Sequence, residues 1–216
     1  MSAEASPVTA AHHRYIREHV PAEDPLLVDL RAAAAAAGIP AIWIAHEEAH
    51  FLTVLLRLIG ARRVVEVGTL AGYSAIAMAR ALPEDGRLDT IELLARHADF
   101  AESWVARSDV AGRVRVHRGA GMDVLPGFAA GCADAMFLDA DKGSYGLYLE
   151  QALRIVRPGG LILADNALAF GQLLEARPTD REVPAVRAFN EQVARHPGVE
   201  GVIVPLGDGV WVLRRR

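Results

Sequence analysis

The chain has 216 residues, 52% of them hydrophobic and 23% charged, with a formal net charge of −4. That length and balance fit one α/β domain with a buried core and exclude disordered, collagen-like and disulfide-scaffold proteins. No charge-free apolar run reaches the ~18 residues of a membrane span, and net acidity argues against a nucleic-acid partner. Met1–Ala11 lacks the basic-then-apolar order of a secretory signal, and the single cysteine, Cys132, has no internal disulfide partner. A reducing cytoplasm is therefore the expected setting.

The first sixty residues read as helical. Six consecutive Ala within Val28–Ala37 favour a helix that Gly38-Ile39-Pro40 stops. Phe51, Leu52, Leu55, Leu56 and Ile59 give a helical stripe over His46–Ile59. From Arg63 the pattern alternates. Strands are expected at Val64–Val67, Leu88–Glu92, Val114–His117, Ala135–Leu138 and Leu161–Ala164. Helices are expected at Ser74–Leu82, Ala95–Ser108, Tyr145–Val156 and Val183–Arg195. Val199–Pro205 and Val210–Arg214 flank Gly207-Asp208-Gly209 as a hairpin. The alternation implies a mostly parallel sheet with helices on both faces and antiparallel pairing at one edge. No linker divides the chain, so residues 1–216 are read as one domain: N-terminal helices over 1–60, then a core over 61–216.

Open α/β sheets bind ligands at the carboxyl ends of their strands. Four strands here end in Glu66-Val67-Gly68, Glu92, Asp139 and Asp165. One acidic strand end is ordinarily a cap or turn residue; four on one edge indicate a site. The loop Gly68–Ser74 has the form G-x-x-x-G. Leu70 stands where a nicotinamide-binding fingerprint needs its second glycine, and no G-K-[ST] follows for a phosphate loop. Glu92, about twenty residues on, is placed to meet ribose hydroxyls. Together these features indicate a nucleoside-bearing cofactor without a pyrophosphate.

Asp139-Ala140-Asp141-Lys142 and Asp165-Asn166 offer two carboxylates and an amide oxygen, hard donors suited to Mg²⁺, Mn²⁺ or Ca²⁺. The same residues also fit a loop cap and an Arg pair. Lys142 is the one Lys among 23 basic residues. Arg stays charged, whereas a Lys amine can give up its proton, so Lys142 marks a place where a proton could move.

Three segments, VVEVGTLAGYSAIAMA, FLDADKGSYGLYLEQALRIVRPGGLILADNAL and VPLGDGVWVLRR, resemble the cation-dependent class I S-adenosylmethionine O-methyltransferases of the caffeoyl-CoA and catechol O-methyltransferase-like group. The resemblance runs from about Ile44 to the C-terminus. It implies a Rossmann-like, seven-stranded, mostly parallel sheet with an antiparallel C-terminal hairpin. It also implies S-adenosyl-L-methionine as cofactor and a divalent cation, Mg²⁺ or else Mn²⁺ or Ca²⁺. By the same resemblance Glu66, Gly68, Thr69, Gly72 and Ser74 line the methionine part of the cofactor. Glu92 holds the ribose, and Gly119-Ala120-Gly121-Met122 lies along the adenine. Asp139, Asp165 and Asn166 bind the metal, with Asp139 also near the cofactor's amino group, and Lys142 is the general base.

Such chemistry places a phenol oxygen, made nucleophilic by a cation on two vicinal hydroxyls, in line with an electrophilic methyl group. Two places depart from the family pattern. Ala49-His50 replaces a Gly-Gln pair, and Phe170 stands for a Trp after Asp165-Asn166. His50 reads as a core or surface helix residue, with substrate contact as the alternative. Leu168, Phe170 and Trp211 read either as the lining of an acceptor pocket or, as aromatics near strand ends often are, as plain core, and Trp43, His12, His13 and Tyr15 as a cover over the acceptor. The expected function is O-methylation of a small catechol-like aromatic acceptor, a bacterial phenolic or natural product, by a homodimer joined through its N-terminal helices. Caffeoyl-CoA is disfavoured because no basic cluster serves its phosphates. The alternatives are methylation of a hydroxylated uridine in tRNA, cofactor binding without turnover, and a nicotinamide oxidoreductase, which Leu70 disfavours.

Overall fold

The structure is a computed structural model that describes residues 8–216; Met1–Pro7, most of the stretch read for a secretory signal, lies outside them. Three helices come first: α1 (Ala10–Glu18), α2 (Pro25–Ala36) and α3 (His46–Leu58). Helix α2 starts three residues before Val28. Asp24 caps it by accepting the Leu26 N–H at 2.8 Å, and Pro25 presets the first turn.

The alternating segments build a seven-stranded sheet from β1 (Arg63–Val67), β2 (Arg87–Glu92), β3 (Val114–Arg118), β4 (Ala133–Leu138), β5 (Val156–Ala164), β6 (Val199–Val204) and β7 (Val210–Arg215). The spatial order is β3-β2-β1-β4-β5-β7-β6, and β7 alone runs against its neighbours. The connecting helices are α4 (Tyr73–Ala79), α5 (Ala95–Arg107), a single turn α6 (Gly121–Val124), α7 (Tyr145–Ile155) and α8 (Val183–Arg195). Side chains alternate along each strand. Val64, Phe137 and Leu163 face a core shared with α2, α3 and α4, while Val65, Met136 and Ile162 face a second core under α7 and α8. The helices therefore cover both faces, as the alternation implied.

Beyond shifts of a few residues at other ends, two boundaries move for identifiable reasons. Helix α4 ends at Ala79 rather than Leu82, because Pro83 disfavours a helical residue before it. Strand β5 begins at Val156 instead of Leu161 and takes Val156 from the preceding helix. Ala133 pairs with Val156 and Ala135 with Leu161, so residues 157–160 form an irregularity that Gly159, at φ +76°, accommodates. Arg157 ties that irregularity down through Asp134 Oδ1 at 2.7 Å. Helix α6 is too short to show a period and was not expected. Among the described residues no helix is long and apolar enough to cross a membrane.

Candidate active site

Strand order reverses between β1 and β4, the point where open α/β sheets form their crevice. A cavity of about 530 Å³ opens there. Gly68, Thr69, Ser74, Glu92, Ala120, Gly121, Asp139, Lys142 and Asn166 all line it, although they come from segments about a hundred residues apart. Gly68 makes this convergence sterically feasible. It sits at φ +104°, and a Cβ there would stand 2.0 Å from the Asp139 carbonyl oxygen, so only glycine fits. The Asp139 N–H reaches back to Val67 O at 2.9 Å.

Glu92 braces the next edge. Its Oε2 accepts the Leu70 N–H at 2.8 Å and its Oε1 the Leu94 N–H at 2.9 Å. Leu70 is held at φ +47°, a conformation that this bond stabilises. A carboxylate has about four acceptor positions, so Glu92 keeps capacity for hydroxyl donors in the cavity. Glu66 and Gly72 stand behind the wall. Gly72 packs against Ala101 of α5. Glu66 is fully buried and accepts the Ser74 Oγ–H at 2.5 Å, while its Oε2 has no partner. Burial pushes the Glu66 carboxyl up to about 7; Asp139 and Glu92 add like charge, and the Ser74 bond opposes the rise.

The second cluster centres on Lys142, which is 7% exposed. Its Nζ donates to the Tyr145 hydroxyl at 2.7 Å and to Asp139 Oδ1 at 3.1 Å. Tyr145 in turn donates to Leu138 O at 3.0 Å. Burial, then the charges of Asp139 and Asp165, hold the Tyr145 phenol well above its ordinary value, so it keeps its proton and accepts from Lys142. Two of the three positions around the nitrogen are thereby engaged, and the third is left for the cavity.

Behind this pair Asp165 meets Glu48 of α3 in a buried carboxyl–carboxyl hydrogen bond, and Glu48 Oε1 has no partner. Burial, then the charges of Asp165 and Asp139, raises the Glu48 carboxyl; burial, then the charge of Asp139, raises Asp165, and its bond to Glu48 opposes that rise, so the pair shares one proton. Asn166 Nδ2 donates to Asp208 Oδ2 at 3.2 Å. Among the described residues no three His, Cys, Asp or Glu side chains are grouped to hold a metal. The available donors are two carboxylates and an amide oxygen, the hard, incomplete set with which Mg²⁺ retains water.

Glu48, Tyr145 and Glu182, which accepts the Lys142 N–H at 3.2 Å, were not anticipated. Glu48 lies four and eight residues before the buried Leu52 and Leu56, a stripe position that marks burial. However, an acidic pair in a first turn also matches the helix dipole, and Glu47 serves a different purpose, taking Arg17 at 2.8 and 2.9 Å.

On the acceptor side Trp43 and Phe170 line the cavity and the other residues read there do not. Trp211 does not line the cavity: it is buried against α8, its Nε1–H donating to Asn190 Oδ1 at 2.7 Å. Leu168 is turned onto Gly209. His12, His13 and Tyr15 lie on α1, which buries none of its residues, and are absent from the wall. From the N-terminal part of the chain Ile42, Trp43 and Ile44 line the cavity, as does Phe170. His50 lies on α3 away from the cavity, in keeping with the helix reading.

Known proteins are similar to this chain in sequence and fold. A profile of the family described as O-methyltransferase matches residues 17–216. The catechol O-methyltransferase of Niastella koreensis is 38% identical over 195 residues, 89% of this chain and 88% of its own. That of Mycobacterium tuberculosis is 37% identical over 182 residues, 84% and 82% of the two chains. The crystal structure of the O-methyltransferase from Bacillus cereus in complex with SAH is 32% identical and superposes with a TM-score of 0.86 over 95% of this chain and 97% of that one. Since the matched region runs from α1 to the last strand and takes in the cavity, the chain belongs to the O-methyltransferase family.

Proposed function

We propose that the protein moves the methyl group of S-adenosyl-L-methionine to one hydroxyl of a small catechol-like acceptor, with a divalent cation held by Asp139, Asp165 and Asn166. The observation that carries the reading is Lys142, a buried amine whose nitrogen donates to Asp139 and to the Tyr145 hydroxyl, so that in its neutral form both hydrogens are taken and the lone pair is left for the cavity it lines. That placement suits a proton acceptor, and the neighbouring oxygen donors suit a hard cation. SAH, bound in the Bacillus cereus relative, is the cofactor after its methyl has left. Catechol is in the name of two of the curated relatives, those of Niastella koreensis and Mycobacterium tuberculosis.

The cofactor, when bound, supplies an electrophilic methyl, and the cation, Mg²⁺ or else Mn²⁺ or Ca²⁺, favours the ionised form of two vicinal hydroxyls. The protein does the rest. Gly68, Thr69 and Ser74, backed by Glu66 and Gly72, receive the methionine end. Glu92 receives the ribose, and Ala120 and Gly121 the adenine. Trp43 and Phe170 offer an aromatic acceptor apolar walls and exclude water. Lys142 Nζ takes the hydroxyl proton, and Tyr145 and Asp139 hold that nitrogen in place.

The charge lining the cavity favours a small neutral acceptor over tRNA or a coenzyme A ester. Glu92, Asp139, Asp141 and Glu182 face it against Lys142 and His97, a wall that repels phosphates. The same reading treats residues 1–216 as one methyltransferase domain working in the cytoplasm. It also takes the exposed Val28, Val54 and Leu58 on α2 and α3 as support for a homodimer. The test is methyl transfer to catechol with Mg²⁺ and with excess EDTA. Turnover that EDTA abolishes and Mg²⁺ restores is expected. Turnover indifferent to EDTA would remove the metal role, and bound cofactor without catechol turnover would redirect the acceptor assignment to larger molecules, tRNA included.

A further inference from the structure

The β6–β7 turn carries a residue that the proposed chemistry leaves unused. Asp208 Oδ2 accepts both Asn166 Nδ2 at 3.2 Å and the Phe170 N–H at 2.7 Å, and its Oδ1 accepts the Gly171 N–H at 3.2 Å. The backbone of the same turn takes two more donors, Leu168 N–H on Asp208 O and Ala167 N–H on Gly209 O, each at 2.8 Å. The segment held in this way is strained. Asn166, Ala169 and Phe170 sit at φ +62°, +54° and +59°, each costing about 1 kcal/mol or more.

A carboxylate can only accept hydrogen bonds. The arm of the Asn166 amide that faces Asp208 must therefore be its NH₂, and the planar amide then turns Oδ1 away from the hairpin. Meanwhile the same carboxylate anchors the backbone of Phe170, a wall residue of the cavity.

We infer that Asp208 is a positioning residue: it sets the Asn166 amide with its carbonyl oxygen free to ligate, and with the same carboxylate fixes Phe170 at the acceptor wall. The metal half of this inference rests on the proposed function, since Asn166 Oδ1 needs a cation to serve. The orientation half rests on hydrogen-bond polarity alone. It also explains why an acidic residue, rather than another turn former, belongs between Gly207 and Gly209.

The experiment compares the full-length wild type with Asp208→Asn, Asp208→Ala and Asn166→Ala. Mn²⁺ affinity is read by electron paramagnetic resonance, S-adenosylmethionine affinity by calorimetry, and the Asn166 side-chain amide by ¹⁵N–¹H correlation, assigned through its loss in Asn166→Ala. Removing a residue that orients a ligand ordinarily weakens metal binding roughly 10–100-fold. Asp208→Ala is expected to show that loss, with cofactor affinity unchanged and a displaced Asn166 amide signal. Asp208→Asn, which keeps one acceptor oxygen, should fall between. Mn²⁺ affinity within twofold of wild type together with an unmoved Asn166 signal would overturn the inference. Should the wild type bind no Mn²⁺, the metal reading of the site fails by itself, and the Asn166 signal alone decides whether Asp208 orients it. Should Asp208→Ala not fold, the near-isosteric Asp208→Asn decides by the same two readouts.

Discussion

Replacing Gly68 by Ala tests the close approach of β1 and β4 on which the cavity is built. Two costs add. A side chain at φ +104° costs roughly 1–2 kcal/mol in backbone strain. The new methyl would also lie 2.0 Å from the Asp139 oxygen and 2.6 Å from its carbonyl carbon, where nonbonded carbons ordinarily rest at about 3.5–4.0 Å. Neither side yields cheaply, because the Asp139 N–H is bonded to Val67 O at 2.9 Å and the Gly68 N–H to Ile91 O at 3.0 Å. Parting the strands breaks at least one such buried bond, about 1–3 kcal/mol. The sum, about 2–5 kcal/mol, corresponds to a fall in Tm of roughly 4–20 °C at ~2–4 °C per kcal/mol for a chain of this size. Gly60 is the control: it too has positive φ, +61°, but nothing lies within 4 Å of a Cβ there, so Gly60→Ala carries strain alone, about 1 kcal/mol. Thermal denaturation of both variants gives the comparison, and calorimetric cofactor binding below the transition should show Gly68→Ala also weakened. Equal Tm losses in the two variants, within about 2 °C, would refute the close-approach argument.

Three further variants probe the site. Lys142→Arg keeps the positive charge but removes the exchangeable amine, so turnover with catechol should drop by at least ~100-fold while calorimetric cofactor affinity holds; near-normal turnover would end the base assignment. Tyr145→Phe removes the hydroxyl that holds Lys142 Nζ at 2.7 Å, and kcat should fall roughly 10–100-fold with little change in cofactor Kd. Glu66→Gln isolates one buried titration. The folded carboxyl titrates at about 7 against 4.5 when unperturbed, so its contribution to stability is complete below 4.5 and is lost as pH rises through 7. That difference is worth roughly 3 kcal/mol. The Tm of the ligand-free wild type should therefore decline between pH 5 and 8 more steeply than that of Glu66→Gln, and parallel curves would disprove the assignment.

Much of the fold could be read from the sequence because its signals are local. Strand alternation, Pro-Gly breaks and acidic strand ends each act within a few residues, and the parallel topology carries those ends to one edge. What could not be read depends on packing across the molecule. Trp211 looks like an acceptor contact by its place near a strand end, yet the face it takes is settled by β7 pairing antiparallel with β5 and by Asn190 from α8. Glu48 is separated from Asp165 by more than a hundred residues, and no local pattern announces that the two share a proton. The β5 irregularity arises from pairing with β4, where Asp134 holds Arg157. Asp208 reads as a turn former, and only the fold brings the Asn166–Gly171 segment onto it.

Charge in and behind the cavity is predominantly negative, and this has a measurable consequence for cofactor binding. Glu66, Asp165 and Glu48 are all raised, chiefly by burial and further by their acidic neighbours. A group raised in this way holds a proton that an incoming positive charge expels, because the charge stabilises the ionised form. In the proposed function S-adenosylmethionine brings a sulfonium and an ammonium toward the end of the cavity that Glu66 backs, and with Glu66 near 7 the expulsion should be partial at neutral pH and larger near pH 6. Calorimetry of cofactor binding in two buffers of different ionisation enthalpy, at pH 6 and pH 8, measures it. The expected outcome is a fractional proton released per cofactor at pH 6, less at pH 8, and less again at pH 6 in Glu66→Gln. Release that is equal at the two pH values, or undiminished in the variant, would show that the cofactor's charge does not reach this carboxyl and that Glu66 serves only to hold Ser74.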